Sequence, residues 1–157
     1  MRRRPPRLSQ PQPLTKEDRA MRRNLLVLSL LATVVATGAA NAMAEVAVKA
    51  VDQSMAAGTV TADEVMATAN GWLVVHRTDS AMKPGLVIGY APLKRGTNRD
   101  VAAILTEPVA RGDMLMLMIH DENGGSKTGV FEYTLGAKED GPVRVDGKLV
   151  MAVISAQ

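Results

Sequence analysis

Two histidines at the ends of strongly apolar segments are the residues of this chain whose types and spacing could do chemistry. His76 ends the run WLVVH, and His120 ends the run MLMLMIH. Side chains alternate along a strand, so Met116, Met118 and His120 would share one face of the second segment. Thioether and imidazole groups suit copper, and imidazole also suits zinc. If the two segments pair, His76, His120, Met116, Met118 and Asp121 form a candidate copper or zinc site.

The competing interpretation gives these side chains no role beyond packing. Methionine is an adaptable filler of apolar interiors, and the histidines would then be half-exposed residues at strand ends. We adopt this second interpretation, with no cofactor bound, and keep copper or zinc binding as its alternative. The sequence contains no cysteine, which excludes a blue-copper electron-transfer site because that site needs a thiolate.

The sequence gives no indication of an enzyme. It lacks a G-x-S-x-G nucleophile elbow, an H-E-x-x-H zinc motif and a glycine-rich phosphate loop. The segment His120–Gly125 has oxygen-bearing side chains before two glycines, but it lacks the alternating order of a calcium-binding loop. We therefore expect a non-catalytic protein.

The charge distribution argues against a nucleic-acid partner. The formal net charge is +3, but residues 1–44 hold 8 of the 19 basic and 2 of the 16 acidic side chains. The remainder has 11 basic and 14 acidic side chains, a net charge of −3. A mildly acidic domain without a basic cluster offers little to phosphate groups.

Residues 21–44 have the three parts of a secretory signal. Arg22 and Arg23 precede an uncharged run from Leu25 to Ala40, and Ala42-Met43-Ala44 gives a small-x-small cleavage pattern. We predict a disordered basic prefix at 1–20, which is not translated if Met21 is the start, a signal peptide at 21–44 and a folded domain at 45–157. The alternative is an uncleaved anchor, because twenty uncharged residues are about enough to span a bilayer. Either way the domain is exported, to the periplasm or beyond the cell, with membrane contact only through the leader.

The folded part is predicted to be all-β. Short apolar or alternating segments recur between Gly, Pro, Asp and Asn, and none keeps a helical period over three turns. The architecture that fits is an immunoglobulin-like two-sheet β-sandwich of seven to nine strands, preceded by a helix over the signal-like segment. The expected strands are Val46–Asp52, Thr59–Thr68, Trp72–Arg77, Leu86–Ala91, Arg99–Thr106, Met114–His120, Val130–Thr134, Val143–Val145 and Lys148–Ile154.

Three local features sharpen this prediction. The runs LVV and MLMLMI are apolar on both faces and are typical of central strands. Asp146-Gly147 favours the positive φ angles of a type I′ hairpin turn. Trp72, at the start of a central strand, is expected to fill the space between the sheets.

Several short segments, in their order along the chain, resemble an uncharacterised family of exported prokaryotic β-sandwich domains. The resemblance covers Val51 to about Val150, and it implies the compartment and the architecture without a reaction. His76 and His120 fall where members of that family also carry histidine. The segments that carry the resemblance are Gly71–His76, Val87–Tyr90, Met116–His120, Gly129–Glu132, Gly141–Val143 and Asp146–Lys148. The function we expect is an exported, non-catalytic binding or structural module of the cell envelope with an unidentified partner.

Overall fold

The computed structural model describes residues 45–157. The predicted prefix at 1–20 and the predicted signal or anchor at 21–44 lie outside the described residues. Within residues 45–157, no helix has the length and apolar character needed to cross a bilayer.

The described part of the chain is built from β-strands. The all-β prediction is confirmed, and residues 64–67, whose sequence also permits a helical turn, belong to a strand. The strands are β1 (Ala47–Lys49), β2 (Thr59–Ala67), β3 (Gly71–Thr78), β4 (Val87–Leu93), β5 (Gly96–Leu105), β6 (Met114–Asp121), β7 (Arg144–Val145), β8 (Lys148–Leu149) and β9 (Met151–Ser155).

Seven of these strands form one antiparallel sheet in the order β1-β2-β5-β4-β3-β6-β9. The sheet curls so that its two edges meet. Gln53, just after β1, forms a parallel bridge with Ala156, and the N–H of Gln157 donates to the carbonyl of Gln53 at 2.9 Å. The N–H of Ser155 donates to the Asp52 carboxylate at 2.8 Å. Edge groups that would otherwise face water are therefore partly paired, as in a nearly closed barrel.

This arrangement corrects the predicted immunoglobulin-like two-sheet sandwich. Strand alternation sets which side chains turn inward, and that pattern is the same whether a sheet packs on a second sheet or curls around its own interior. The β7–β8 pair is a separate two-stranded sheet. Its turn confirms the hairpin prediction, since Asp146 and Gly147 have φ angles of 50° and 78°.

The interior of the curled sheet is aliphatic. Leu73 and Val75 of β3 pack in one cluster with Leu115, Leu117 and Ile119 of β6, together with inward side chains of the other strands. Burial of this cluster is the main stabilising contribution available to a chain without disulfides.

The central strands β3 and β6 are also buried on their outer face, as their continuous apolar runs predicted. Trp72, Val74, Met116 and Met118 are all buried there but do not belong to the interior cluster. The prediction that Trp72 fills the space between two sheets is therefore wrong. It lies on the outside of the curled sheet, under a covering loop.

The covering loop consists of residues 122–143. Its middle part, Val130–Thr134, was predicted to be a strand and has no regular structure. The alternating sequence VFEYT is explained by packing instead, because the rings of Phe131 and Tyr133 turn onto the outer face of the sheet. The loop closes back onto β6, where the N–H of Val143 donates to the carbonyl of Ile119 at 2.9 Å.

Candidate metal centre

β3 and β6 are antiparallel neighbours, and their register places the two histidines diagonally on the outer face. The two histidines are not direct cross-strand partners, because one other cross-strand pair separates their positions along the strands. The three successive cross-strand pairs on this face are Trp72 with His120, Val74 with Met118, and His76 with Met116. The two imidazoles therefore reach toward each other above the Val74–Met118 pair.

The imidazole rings of His76 and His120 are in direct contact. Their Nε2 atoms lie 3.2 Å apart, and the ring centroids are 5.4 Å apart with an angle of 27° between the planes. Both residues have no solvent-exposed surface. The sequence-based expectation of half-exposed histidines is wrong, because the loops after β3 and β6 fold back over both strand ends.

The other nitrogen of each ring is held by a backbone carbonyl. His76 Nδ1 lies 2.9 Å from the carbonyl oxygen of Gly85, and His120 Nδ1 lies 2.6 Å from that of Asp140. A carbonyl oxygen can only accept, so both Nδ1 atoms must carry the proton and donate it. In the neutral rings, each Nε2 then presents a lone pair.

Burial keeps both rings neutral at physiological pH. Desolvation lowers the pKa of His76, against the opposing effect of its hydrogen bond to Gly85. The pKa of His120 is lowered to about 4, chiefly by desolvation and also by the neighbouring His76, against the opposing effect of its hydrogen bond to Asp140. Two neutral rings therefore direct two lone pairs at each other across 3.2 Å.

One added cation would satisfy this arrangement. A proton on one Nε2 would form an N–H···N bond, and a metal ion could accept both lone pairs. Two bonds of 2.0–2.1 Å at a tetrahedral angle separate two nitrogens by about 3.3–3.4 Å, close to the 3.2 Å observed. Metal-binding histidines usually donate their second nitrogen to a carbonyl or carboxylate, and both histidines do so here.

Aromatic side chains enclose the pair. The Tyr133 ring meets His120 edge-on at 4.5 Å and 78°, and it meets His76 at 5.9 Å and 75°. Phe131 packs beside Tyr133 and contacts both Trp72 and Tyr90. All four aromatic residues of the sequence therefore belong to one layer with the histidines. The sequence analysis noted how few aromatic residues there are and missed that they converge.

Asp140 is the functional residue that the sequence analysis missed most completely. Its side chain is fully buried, and its carboxylate accepts the N–H of Glu132 at 2.8 Å and that of Asn123 at 3.2 Å. Its backbone holds His120, so one residue fastens the covering loop internally and to the site. Its left-handed φ of 45° is a conformation that aspartate tolerates better than most residues. No sequence signal marks it except its position before Gly141.

The structure brings four of the five predicted site residues to one face and leaves out the fifth. Met116 and Met118 are buried with the histidines on the outer face of β3 and β6. Asp121 follows His120 directly, so its side chain points to the opposite face of β6, and burial raises the pKa of that carboxyl. Within residues 45–157 there is no group of three or more His, Cys, Asp or Glu side chains placed to hold a metal ion.

An apolar cleft of about 350 Å³ opens beside the pair. Tyr133 and Phe131 form one wall, and exposed Leu86 and Leu135 border the mouth. Neither histidine lines this cleft, and Tyr133, which does, also contacts both imidazoles.

A comparison with known protein families matches residues 46–157 to one described as a domain of unknown function, DUF7282. This match confirms the resemblance to an uncharacterised family. No curated protein matches the chain, and no solved structure matches it.

Proposed function

The chain belongs to the DUF7282 family, and we propose that it is an exported, non-catalytic module that binds one metal ion between His76 and His120. The observation that carries this proposal is the 3.2 Å separation of two Nε2 atoms whose Nδ1 partners are both committed to carbonyl groups. Two facing Nε2 lone pairs repel each other unless a cation lies between them.

The surroundings support metal binding over a shared proton. The lowered pKa of His120, about 4, means that a metal ion would not compete with a proton at neutral pH. The rings are also fixed in advance by two loops, so little rotamer freedom is lost when the ion binds. Borderline and soft metal ions bind neutral imidazole well.

The closed geometry supports a binding role over catalysis. Both lone pairs point at each other under the Tyr133 ring, so neither nitrogen faces a space in which a substrate proton could lie. Export is supported by the signal-like sequence of residues 21–44. The domain would then carry or sense the ion in the cell envelope.

A purely structural role is the competing explanation. His76 ties Gly85 to the sheet and His120 ties Asp140, so the pair could serve only to fasten two loops. In that case removing the histidines would destabilise the domain, and the wild-type protein would show no affinity for metal ions.

The two explanations are separated by titration of the purified protein with Zn(II) and, under anaerobic conditions, Cu(I). We expect one equivalent to bind with micromolar or tighter affinity. The double variant His76→Gln/His120→Gln should lose more than about 100-fold in affinity. Asp121→Asn is the matched control and should bind like wild type. Absence of binding by the wild-type domain, or unchanged binding by the folded double variant, would reject the metal site.

A further inference from the structure

The outer face of the Met-rich strand supplies sulfur next to the histidine pair. Met114, Met116 and Met118 alternate along β6 toward His120, and Met118 faces Met151 of β9 across the strands. Building on the metal site proposed above, we infer that the ion is Cu(I) and that the thioether of Met118 is its third ligand.

Position singles out Met118 among the methionines. The two imidazoles meet above the pair that Met118 forms with Val74, between the register positions of the two histidines. Met116 is the cross-strand partner of His76, so along β6 it lies two residues farther from His120 than Met118 does. Met118 is 1% exposed and belongs to the outer face rather than to the interior cluster. The register therefore places Met118 between the two histidines on the face where their Nε2 atoms meet.

The oxygen atoms around the pair are committed elsewhere. The Tyr133 hydroxyl accepts the N–H of Gly136 at 3.3 Å, which draws it toward the exposed end of the loop. The Asp140 carboxylate accepts two backbone N–H groups within the covering loop. Sulfur joins imidazole nitrogen as a donor on this face, and a set of two imidazoles and a thioether selects a soft ion such as Cu(I).

Charge favours a monovalent ion as well. The site has no exposed surface, and its near neighbours are aromatic and aliphatic. The Born free energy of desolvation grows with the square of the ionic charge. Burying a monovalent ion therefore costs about one quarter as much as burying a divalent ion of the same size. Both histidines are neutral and the Asp121 carboxylate lies on the opposite face, so the ligands do not compensate a second charge.

The Nε2–Nε2 distance is compatible with three ligands. A trigonal ion with bonds of about 2.0 Å holds its two nitrogens about 3.5 Å apart. The observed 3.2 Å needs to widen by only about 0.3 Å, which a small rotation of either ring provides. A linear two-coordinate ion would need about 4 Å between the nitrogens.

The test compares Met118→Leu with the matched control Met116→Leu in anaerobic competition titrations against a chromophoric Cu(I) chelator, with parallel Zn(II) titrations. We expect Met118→Leu to bind Cu(I) about 10- to 100-fold more weakly and Zn(II) as wild type does. Met116→Leu should bind both ions as wild type does. X-ray absorption of the Cu(I)-loaded domain should show one sulfur neighbour that disappears in Met118→Leu.

The outcomes separate this inference from the proposed function. A wild-type domain that binds Zn(II) more tightly than Cu(I), or whose Cu(I) spectrum lacks sulfur, keeps the metal site and overturns the choice of Cu(I) and Met118. Equal Cu(I) affinity of Met118→Leu and wild type also overturns it. A wild-type domain that binds neither ion rejects the metal site itself. Thermal unfolding of both leucine variants verifies that the binding data come from folded protein.

Discussion

The backbone carbonyl of Asp140 accepts the Nδ1–H of His120 at 2.6 Å, which joins the covering loop to the centre of the sheet. This loop is otherwise irregular, and the two N–H groups that bind the Asp140 carboxylate join separate parts of it. The orientation of His120 therefore depends on a residue twenty positions away in the sequence.

Asp140→Asn should destabilise the domain. The amide has one acceptor oxygen where the carboxylate has two, so one buried N–H loses its partner, at a cost of about 1–3 kcal/mol. Asp146→Asn is the matched control, because Asp146 also has a left-handed φ of 50° but is exposed. Urea denaturation should show a lower midpoint for the first variant and almost no change for the second. Equal midpoints would show that the Asp140 carboxylate does not hold the loop.

The histidine pair should make the metal-free domain less stable in mild acid. In the unfolded chain histidine takes up its proton near pH 6.5, whereas folding lowers the pKa of His120 to about 4. The unfolded state therefore binds more protons between these values, and stability falls as the pH falls through this window. Between pH 7.5 and pH 5 the contribution of His120 is about 2 kcal/mol by linkage, and His76 shifts in the same direction.

The measurement is the difference in unfolding free energy between pH 7.5 and pH 5 for wild type and for His76→Gln/His120→Gln. The carboxylates contribute equally to both proteins and cancel. The groups that face His120 are the rings of His76, Tyr133 and Phe131 and the Asp140 carbonyl. The loss on acidification should be smaller in the double variant. An identical loss in both proteins would contradict the lowered pKa values.

Trp72 should respond differently to removal and to replacement by a smaller ring. Its side chain contacts Tyr90 and Phe131 edge-on at 5.7 and 5.6 Å, so Trp72→Ala should cost about 3–5 kcal/mol. Its Nε1–H is buried without a hydrogen-bond partner in residues 45–157. Trp72→Phe removes that unpaired donor and should cost less than about 1.5 kcal/mol. Equal losses in thermal unfolding would mean that the indole N–H has a partner.

The leader should be removed on export. Mass spectrometry of the protein recovered from the periplasm or the medium should give an N-terminus at Glu45, after the Ala42-Met43-Ala44 pattern. An intact arginine-rich N-terminus in a membrane fraction would instead identify the segment as an anchor. Recovery of the whole chain from the cytosol would contradict export.

The strands were predictable from sequence because each carries its own pattern. The runs that became β3 and β6 are apolar on both faces, and the turn at Asp146-Gly147 depends on two residues only. The curl of the sheet was not predictable, since it depends on contacts between residues about a hundred positions apart, such as Gln53 with Ala156. Val130–Thr134 was misassigned because its alternation reflects aromatic side chains packing on another element.

The candidate site was predictable in part. The sequence indicated that His76 and His120 could meet if their strands were neighbours, and they are. It also contained the argument against Asp121, because strict alternation from His120 puts that carboxylate on the other face. The carbonyl groups of Gly85 and Asp140 that fix the tautomers carry no side-chain signature, so only the folded loops reveal them.

The parallel bridge between Gln53 and Ala156 also has a mechanical consequence. Tension applied between the two ends of the domain would shear these two segments along each other. The hydrogen bonds between the segments would then bear the force at the same time rather than break one after another. A domain closed in this way should resist stretching better than one whose terminal strands peel apart.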